Sequence, residues 1–153
     1  MKACTNTNNA LYFSSVPEIS EEIWEALNCD KNLYFHRDFL FSIEESNPGV
    51  QFAYIVLIDA NKKPIAIATL QFVDFYIDDI KNDLEVVLRK IKSIGRKLHL
   101  LPKKTPLKIL ICGNTFVSGE HGVFIKKNQN KKTIIKEVAK AILHFVNSNP
   151  ILK

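Results

Sequence analysis

The sequence predicts an α/β (α+β) protein built on a mixed, largely antiparallel sheet flanked by helices. Three observations lead there. Residues 52–58 and 65–75 are apolar runs joined by turn chemistry, the pattern of a hairpin covered on both faces. Residues 78–98 and 133–147 carry apolar side chains at helical spacing. The 153 residues are 46% apolar and 24% charged, which suits one domain over 11–153 and argues against disorder as the dominant state.

Taken in order, residues 1–10 are polar, rich in Asn and Thr, and expected to be a flexible N-terminus. A short strand is expected over 11–14. Ser20 has the position of a helix N-cap, with Glu21 and Glu22 in the first turn, where the helix dipole favours anions. Ile19 and Trp24 have the spacing of a hydrophobic staple. The helix runs to Leu27 with Ile23, Trp24 and Leu27 on its apolar side, and Trp24 reads as core. A second helix is expected over 37–46, with Phe39, Leu40 and Ile43 on one side and Asn47-Pro48-Gly49 as its stop. In the hairpin, residues 59–63 form the turn and Pro64 stands at the strand entrance, where a missing N–H does least harm. The 78–98 helix has acids at its start and Arg96 and Lys97 at its end, as the dipole prefers. Then follow a strand over 107–112, a loop over 113–122, a strand over 123–125, a polar loop and the last helix. That helix is expected to bury Ile134, Ile135, Val138, Ala141, Ile142 and Phe145.

The net charge of +5 is unevenly spread. Residues 1–102 hold 11 basic and 14 acidic side chains, whereas residues 103–153 hold 10 lysines against two acids, Glu120 and Glu137. That asymmetry points to an anionic partner for the last third. A nucleic acid, a membrane surface and a phosphate-bearing molecule all qualify, but lysine lacks arginine's bidentate fork, which disfavours base-specific nucleic-acid reading. No apolar run is long enough for a membrane span. Cys4, Cys29 and Cys112 fit neither a disulfide framework nor a Cys-x-x-Cys metal site, and the four histidines have no zinc-ligand spacing, so no metal is expected. The start shows no secretory pattern, so a cytoplasmic, reduced protein is the expectation. No phosphate-binding Gly-x-x-x-x-Gly-Lys-Ser/Thr motif is present, which excludes a P-loop nucleotide hydrolase.

Two places can carry chemistry. The 113–122 loop holds three of the five glycines together with Asn114, Ser118, Glu120 and His121. Polar side chains on a glycine-bracketed loop beyond a buried strand are a frequent site in such sheets. Glu120 or His121 would be the general base that takes a proton from a small-molecule amine. The other reading of this loop is a solvated surface turn. The second place is the start of the last helix. Lys126, Lys127, Lys131 and Lys132 crowd an end where the dipole disfavours cations, an arrangement that makes sense around a bound anion. Its alternative is plain exposure in salt.

The segment Phe35-His36-Arg37-Asp38-Phe39-Leu40-Phe41-Ser42-Ile43-Glu44 reads Phe-x-x-x-Phe-Leu-x-x-x-Glu. With the 54–72 hairpin and the run Cys112-Gly113-Asn114-Thr115-Phe116-Val117-Ser118-Gly119-Glu120-His121-Gly122, it resembles the N-terminal half of the GNAT-like acyl-CoA N-acyltransferase fold. Within that fold it is most similar to FemAB-like and peptidoglycan-biosynthesis-type proteins, over most of residues 33–147. The resemblance implies a GNAT-like half or truncated domain that transfers an acyl group from acyl-CoA to an amine. In the superfamily a Gln/Arg-x-x-Gly-x-Gly/Ala loop holds the coenzyme A pyrophosphate. The matching stretch here would place acyl-CoA on Lys126, Lys127, Asn128, Asn130, Lys131, Lys132 and Thr133, with lysines in place of the glycines. The amine would lose its proton to Glu120 or His121 and attack the thioester carbonyl. The alternative is a non-catalytic module of the same fold that binds an anionic ligand or protein partner, or forms a homodimer through an uncovered sheet edge.

Overall fold

A computed structural model describes residues 9–75, 107–119 and 122–149. The chain divides into two units, residues 1–72 with 110–153, and residues 73–109. Of the second, only 73–75 and 107–109 are described. The expected helix over 78–98 lies outside the described residues.

The elements are strand β1 (Ala10–Phe13), helix α1 (Glu21–Leu27), helix α2 (Arg37–Ser46), strands β2 (Gln51–Ile58), β3 (Pro64–Phe75), β4 (Leu107–Cys112) and β5 (Val123–Ile125), and helix α3 (Lys131–Ser148). Single 3-10 turns, Val16–Glu18 and Leu33–Phe35, precede α1 and α2. The sheet is open, with strand order β1-β2-β3-β4 and β5 beside β3 as well. The pairings of β1 with β2, β2 with β3 and β3 with β5 are antiparallel. This is the expected α+β class.

The expected hairpin is the centre of this sheet. Gln51 pairs with Phe72 and Leu57 with Ala66. The Asp59 carboxylate holds the turn by accepting from the N–H groups of Asn61 and Lys63, both at 2.8 Å. An irregularity follows Leu57, and Ile58 pairs with Pro64, so the proline sits where the ladder is already broken.

Alternation along β2 explains why the run reads as continuously apolar. Phe52, Tyr54 and Val56 face a cluster with Val16, Ile19, Trp24, Leu27, Phe35 and Leu40 from the N-terminal helices and turns. Ala53, Ile55 and Leu57 face the opposite cluster, with Ile134, Val138 and Ala141 of α3. Each strand therefore feeds two cores at period two. On the α3 side the sheet presents Ala53, Ala66 and Ala68, and Tyr12 stacks on Phe145 with ring centroids 5.7 Å apart.

The helix ends depart from expectation in detail. Ser20 occupies the N-cap position of α1 without a side-chain bond to the backbone. Its hydroxyl instead bonds the Glu22 carboxylate, which lowers the pKa of that acid. Ile19 and Trp24 are both buried in one cluster, as a staple requires. Asn28 ends α1 in the left-handed conformation (φ 50°). Helix α3 starts at Lys131, two residues before the expected Thr133, because Asn130 is the N-cap and its Oδ1 accepts from Thr133 N at 3.1 Å. Ile135, expected in the core, is 47% exposed. At 100° per residue it lies about a quarter-turn from Ile134, outside the arc that Ile134, Val138 and Ala141 cover.

Candidate functional site

The 113–122 loop joins β4 to β5, and β3 holds it at both ends. Gly113 N donates to Thr69 O at 2.9 Å, and Thr69 N donates to Gly122 O at 3.0 Å. A Cβ on Gly122 would meet the Cys112 carbonyl oxygen at 2.9 Å, too close for any larger residue without moving backbone. Gly122→Ala is expected to lower stability by about 1–3 kcal/mol through this overpacking, measured as a lower denaturant midpoint.

Buried polar groups fix the first half of the loop. Gln71, 2% exposed on β3, accepts from the N–H and the hydroxyl of Thr115, both at 2.8 Å, and donates to Asn114 Oδ1 at 3.2 Å. Asn114 Oδ1 also accepts from Phe116 N at 2.9 Å. Asn114, expected as a loop candidate for chemistry, is buried and turned inward to this network. Ser118 is exposed, and its carbonyl accepts from the Tyr34 hydroxyl at 3.0 Å. Gly119 (φ 119°) lies against the same tyrosine ring. The two candidate bases, Glu120 and His121, lie outside the described residues.

The lysine-rich loop borders a concavity. A cavity of about 600 Å³ lies between the end of α1 with its following turn and the β5–α3 connection. Four lysines line it: Lys31 from the first wall, and Lys126, Lys127 and Lys131 from the second. Leu27, Phe124 and Ile125 give it an apolar portion, and among the described residues no carboxylate lines it. Amide side chains complete it: Asn28 and Asn32 on one wall, Asn128 and Gln129 on the other.

The expected ligand-binding residues separate here. Lys126 is half-buried and its ammonium donates to Ala26 O at 2.5 Å. That carbonyl belongs to the last turn of α1, where a cation meets the negative end of the dipole. Lys126 therefore ties the two cavity walls together. Lys127, Asn128 and Lys131 line the cavity and are exposed. Asn130 caps α3, and so the Thr133 N–H is already used. Lys132 and Thr133 are exposed and do not line the cavity. Asn128 takes the left-handed conformation (φ 67°), which asparagine tolerates better than most residues, so the connection turns without a glycine. The N–H groups of Lys131 and Lys132, first in the helix, have no carbonyl one turn back.

Sequence reasoning misses the whole first wall, Leu27, Asn28, Cys29, Lys31 and Asn32, of which Lys31 carries the charge. Its one signal is a cation just past the end of α1, and nothing local says that this end meets a loop so far along the chain. Cys29 also lines the cavity, but it is a structural thiol. Its Sγ donates to Phe35 O at 3.3 Å, and burial, with the Asp30 charge beside it, pushes its pKa up to about 11. It is protonated at neutral pH and a poor nucleophile. Among the described residues no group of His, Cys, Asp and Glu is placed to hold a metal.

The fold and cavity together define an α+β chain with a cationic, partly apolar cleft at the start of its last helix. No protein-family model, no curated protein and no solved structure matches this chain.

Proposed function

We propose that this protein binds a phosphate-bearing anion with an apolar portion in the cavity between α1 and the β5–α3 connection. The observation that carries the reading is the lining: four lysines from two distant segments, an apolar patch and, among the described residues, no carboxylate. Ammonium groups on two walls meet a ligand's charge, the free amides at the start of α3 add donors, and Leu27, Phe124 and Ile125 take its apolar part.

Acyl-CoA is the first ligand of this class to test, because it joins phosphates to an acyl chain and because the sequence pattern of residues 35–44, 54–72 and 112–122 suggests a GNAT-like acyltransferase. The cavity's lysines match its charge, and the apolar lining matches its acyl chain. In that proposal Lys127 and Lys131 hold phosphate and Lys126 keeps the walls together. An amine acceptor loses its proton to Glu120 or His121, then attacks the thioester carbonyl and expels the coenzyme A thiolate. The loop that carries these two bases enters β5 at Gly122, while the lysines follow β5 at Lys126. Gly122 and Lys126 are four steps of extended chain apart, about 13 Å, so the ligand would run along β5.

The test is a thermal-shift titration with acetyl-CoA and, separately, inorganic pyrophosphate. Ligand at a hundred times its dissociation constant should stabilise the protein by about 2.7 kcal/mol. The Lys127→Ala/Lys131→Ala double variant should lose the shift, whereas Lys132→Ala, outside the cavity, should retain it. A shift that survives the double variant would move the site elsewhere. Binding without acylation of any amine in a panel would leave the non-catalytic module as the function.

A further inference from the structure

The outer face of α3 carries a pattern that the core does not use. Lys132, Lys136 and Lys140 recur every four residues, all exposed. The adjoining row is Ile135, Ala139 and Leu143, also exposed. Leu143 is 63% exposed, so two large aliphatic side chains stand in solvent beside a line of ammonium groups. Glu137 is the only acid in residues 122–149, and Lys140 holds its carboxylate at 2.7 Å. Neither Lys132 nor Lys136 has a carboxylate partner among the described residues. Lys132 also stands in the first turn, where the helix dipole opposes it.

Parallel cationic and aliphatic rows on one helix face match the chemistry of an anionic bilayer surface. Ammonium groups meet headgroup phosphates, while lysine stems and aliphatic side chains enter the boundary between headgroups and acyl chains. No described helix is long and apolar enough to cross a membrane, so the contact is peripheral. Nucleic acid fits the face less well. The two rows hold no arginine for bidentate contacts and no aromatic ring for stacking.

We infer that the outer face of α3 docks on an anionic lipid surface, independently of what the cavity binds. The test is co-sedimentation of the full chain with phosphatidylcholine vesicles, with and without phosphatidylserine, at low and high salt. Binding is expected only with phosphatidylserine and should weaken with salt. Lys132→Ala and Lys136→Ala should each lower the partition coefficient about fivefold. Leu143→Ser should lower it several-fold, with the unfolding midpoint unchanged because the residue is exposed. The inference is overturned if neither vesicle sediments the protein, or if these variants bind as the wild type does. Salt-sensitive retention of duplex DNA without vesicle binding would overturn it in favour of nucleic acid. The pyrophosphate thermal shift of Lys136→Ala should equal that of the wild type, which keeps this surface distinct from the cavity.

Discussion

Replacing Gln71 with alanine is expected to cost about 2–4 kcal/mol of folding stability, read from urea unfolding. The side chain is buried and serves the N–H and hydroxyl of Thr115 and the amide of Asn114. Without it, the Thr115 N–H loses its acceptor in a part-buried place, and a void opens where the amide stood. Gln71→Leu separates the two causes. It restores volume and no hydrogen bond, so it should recover less than half of the loss. Amide exchange at Thr115 and Phe116 should accelerate in both variants, because the first half of the 113–122 loop hangs from this network. A leucine variant as stable as wild type would show that packing alone holds the loop.

Glu44→Ala is expected to cost about 2–4 kcal/mol by a different route. From α2, both carboxylate oxygens accept from Val16 N at 3.1 Å. The same carboxylate accepts from the Tyr54 hydroxyl, whose own ionisation is pushed far up by burial and by the Glu44 charge. Tyr54 is 1% exposed, so the truncation strands its hydroxyl where water does not reach. One side chain therefore joins α2, the first 3-10 turn and β2.

Stability should follow pH in a way that Glu44 reveals. Burial raises its pKa, against the pull of the Tyr54 and Val16 bonds. A raised carboxyl pKa means that the folded state binds the proton more tightly than the unfolded chain does. Its contribution is then largest at low pH and falls as pH rises through the carboxylate range. Glu44→Gln removes this titration and keeps an acceptor. The stability advantage of wild type over this variant should therefore be greater near pH ~4 than near pH ~7. Glu18 works in the opposite sense. Hydrogen bonds from Ser14, first from its N–H, lower the Glu18 pKa, so its contribution fades as pH falls.

Much of the fold can be read along the chain. The hairpin shows itself because a strand that faces two cores is apolar at every position, and its turn announces itself in Asp59 and Pro64. Helix α2 matches the expected bounds because Asn47, Pro48 and Gly49 stop it chemically. The start of α3 lies two residues ahead of its expected place because Lys131 and Lys132 look like loop until Asn130 is known to cap. Residue type alone puts Ile135 in the core, while the angular position that leaves it in solvent depends on where the sheet lies.

The candidate site divides the same way. The crowding of Lys126, Lys127 and Lys131 is visible as composition. Two facts are not: that Lys126 is spent on the α1 carbonyl, and that Lys31, from the turn after α1, lines the same cavity.

Legible in the sequence were local features: the two apolar runs of the hairpin with their turn, the bounds of α2, and the gathering of positive charge in the last third. These follow from period, capping and composition, which neighbouring residues fix among themselves. Three features come from long-range packing alone: the end of α1 meets the β5–α3 connection, Gln71 reaches the loop from inside the sheet, and one residue, Thr69, holds both ends of that loop. Contacts between segments so far apart in the chain arise from the packing of whole elements on two faces of one sheet, and no short stretch of sequence encodes them.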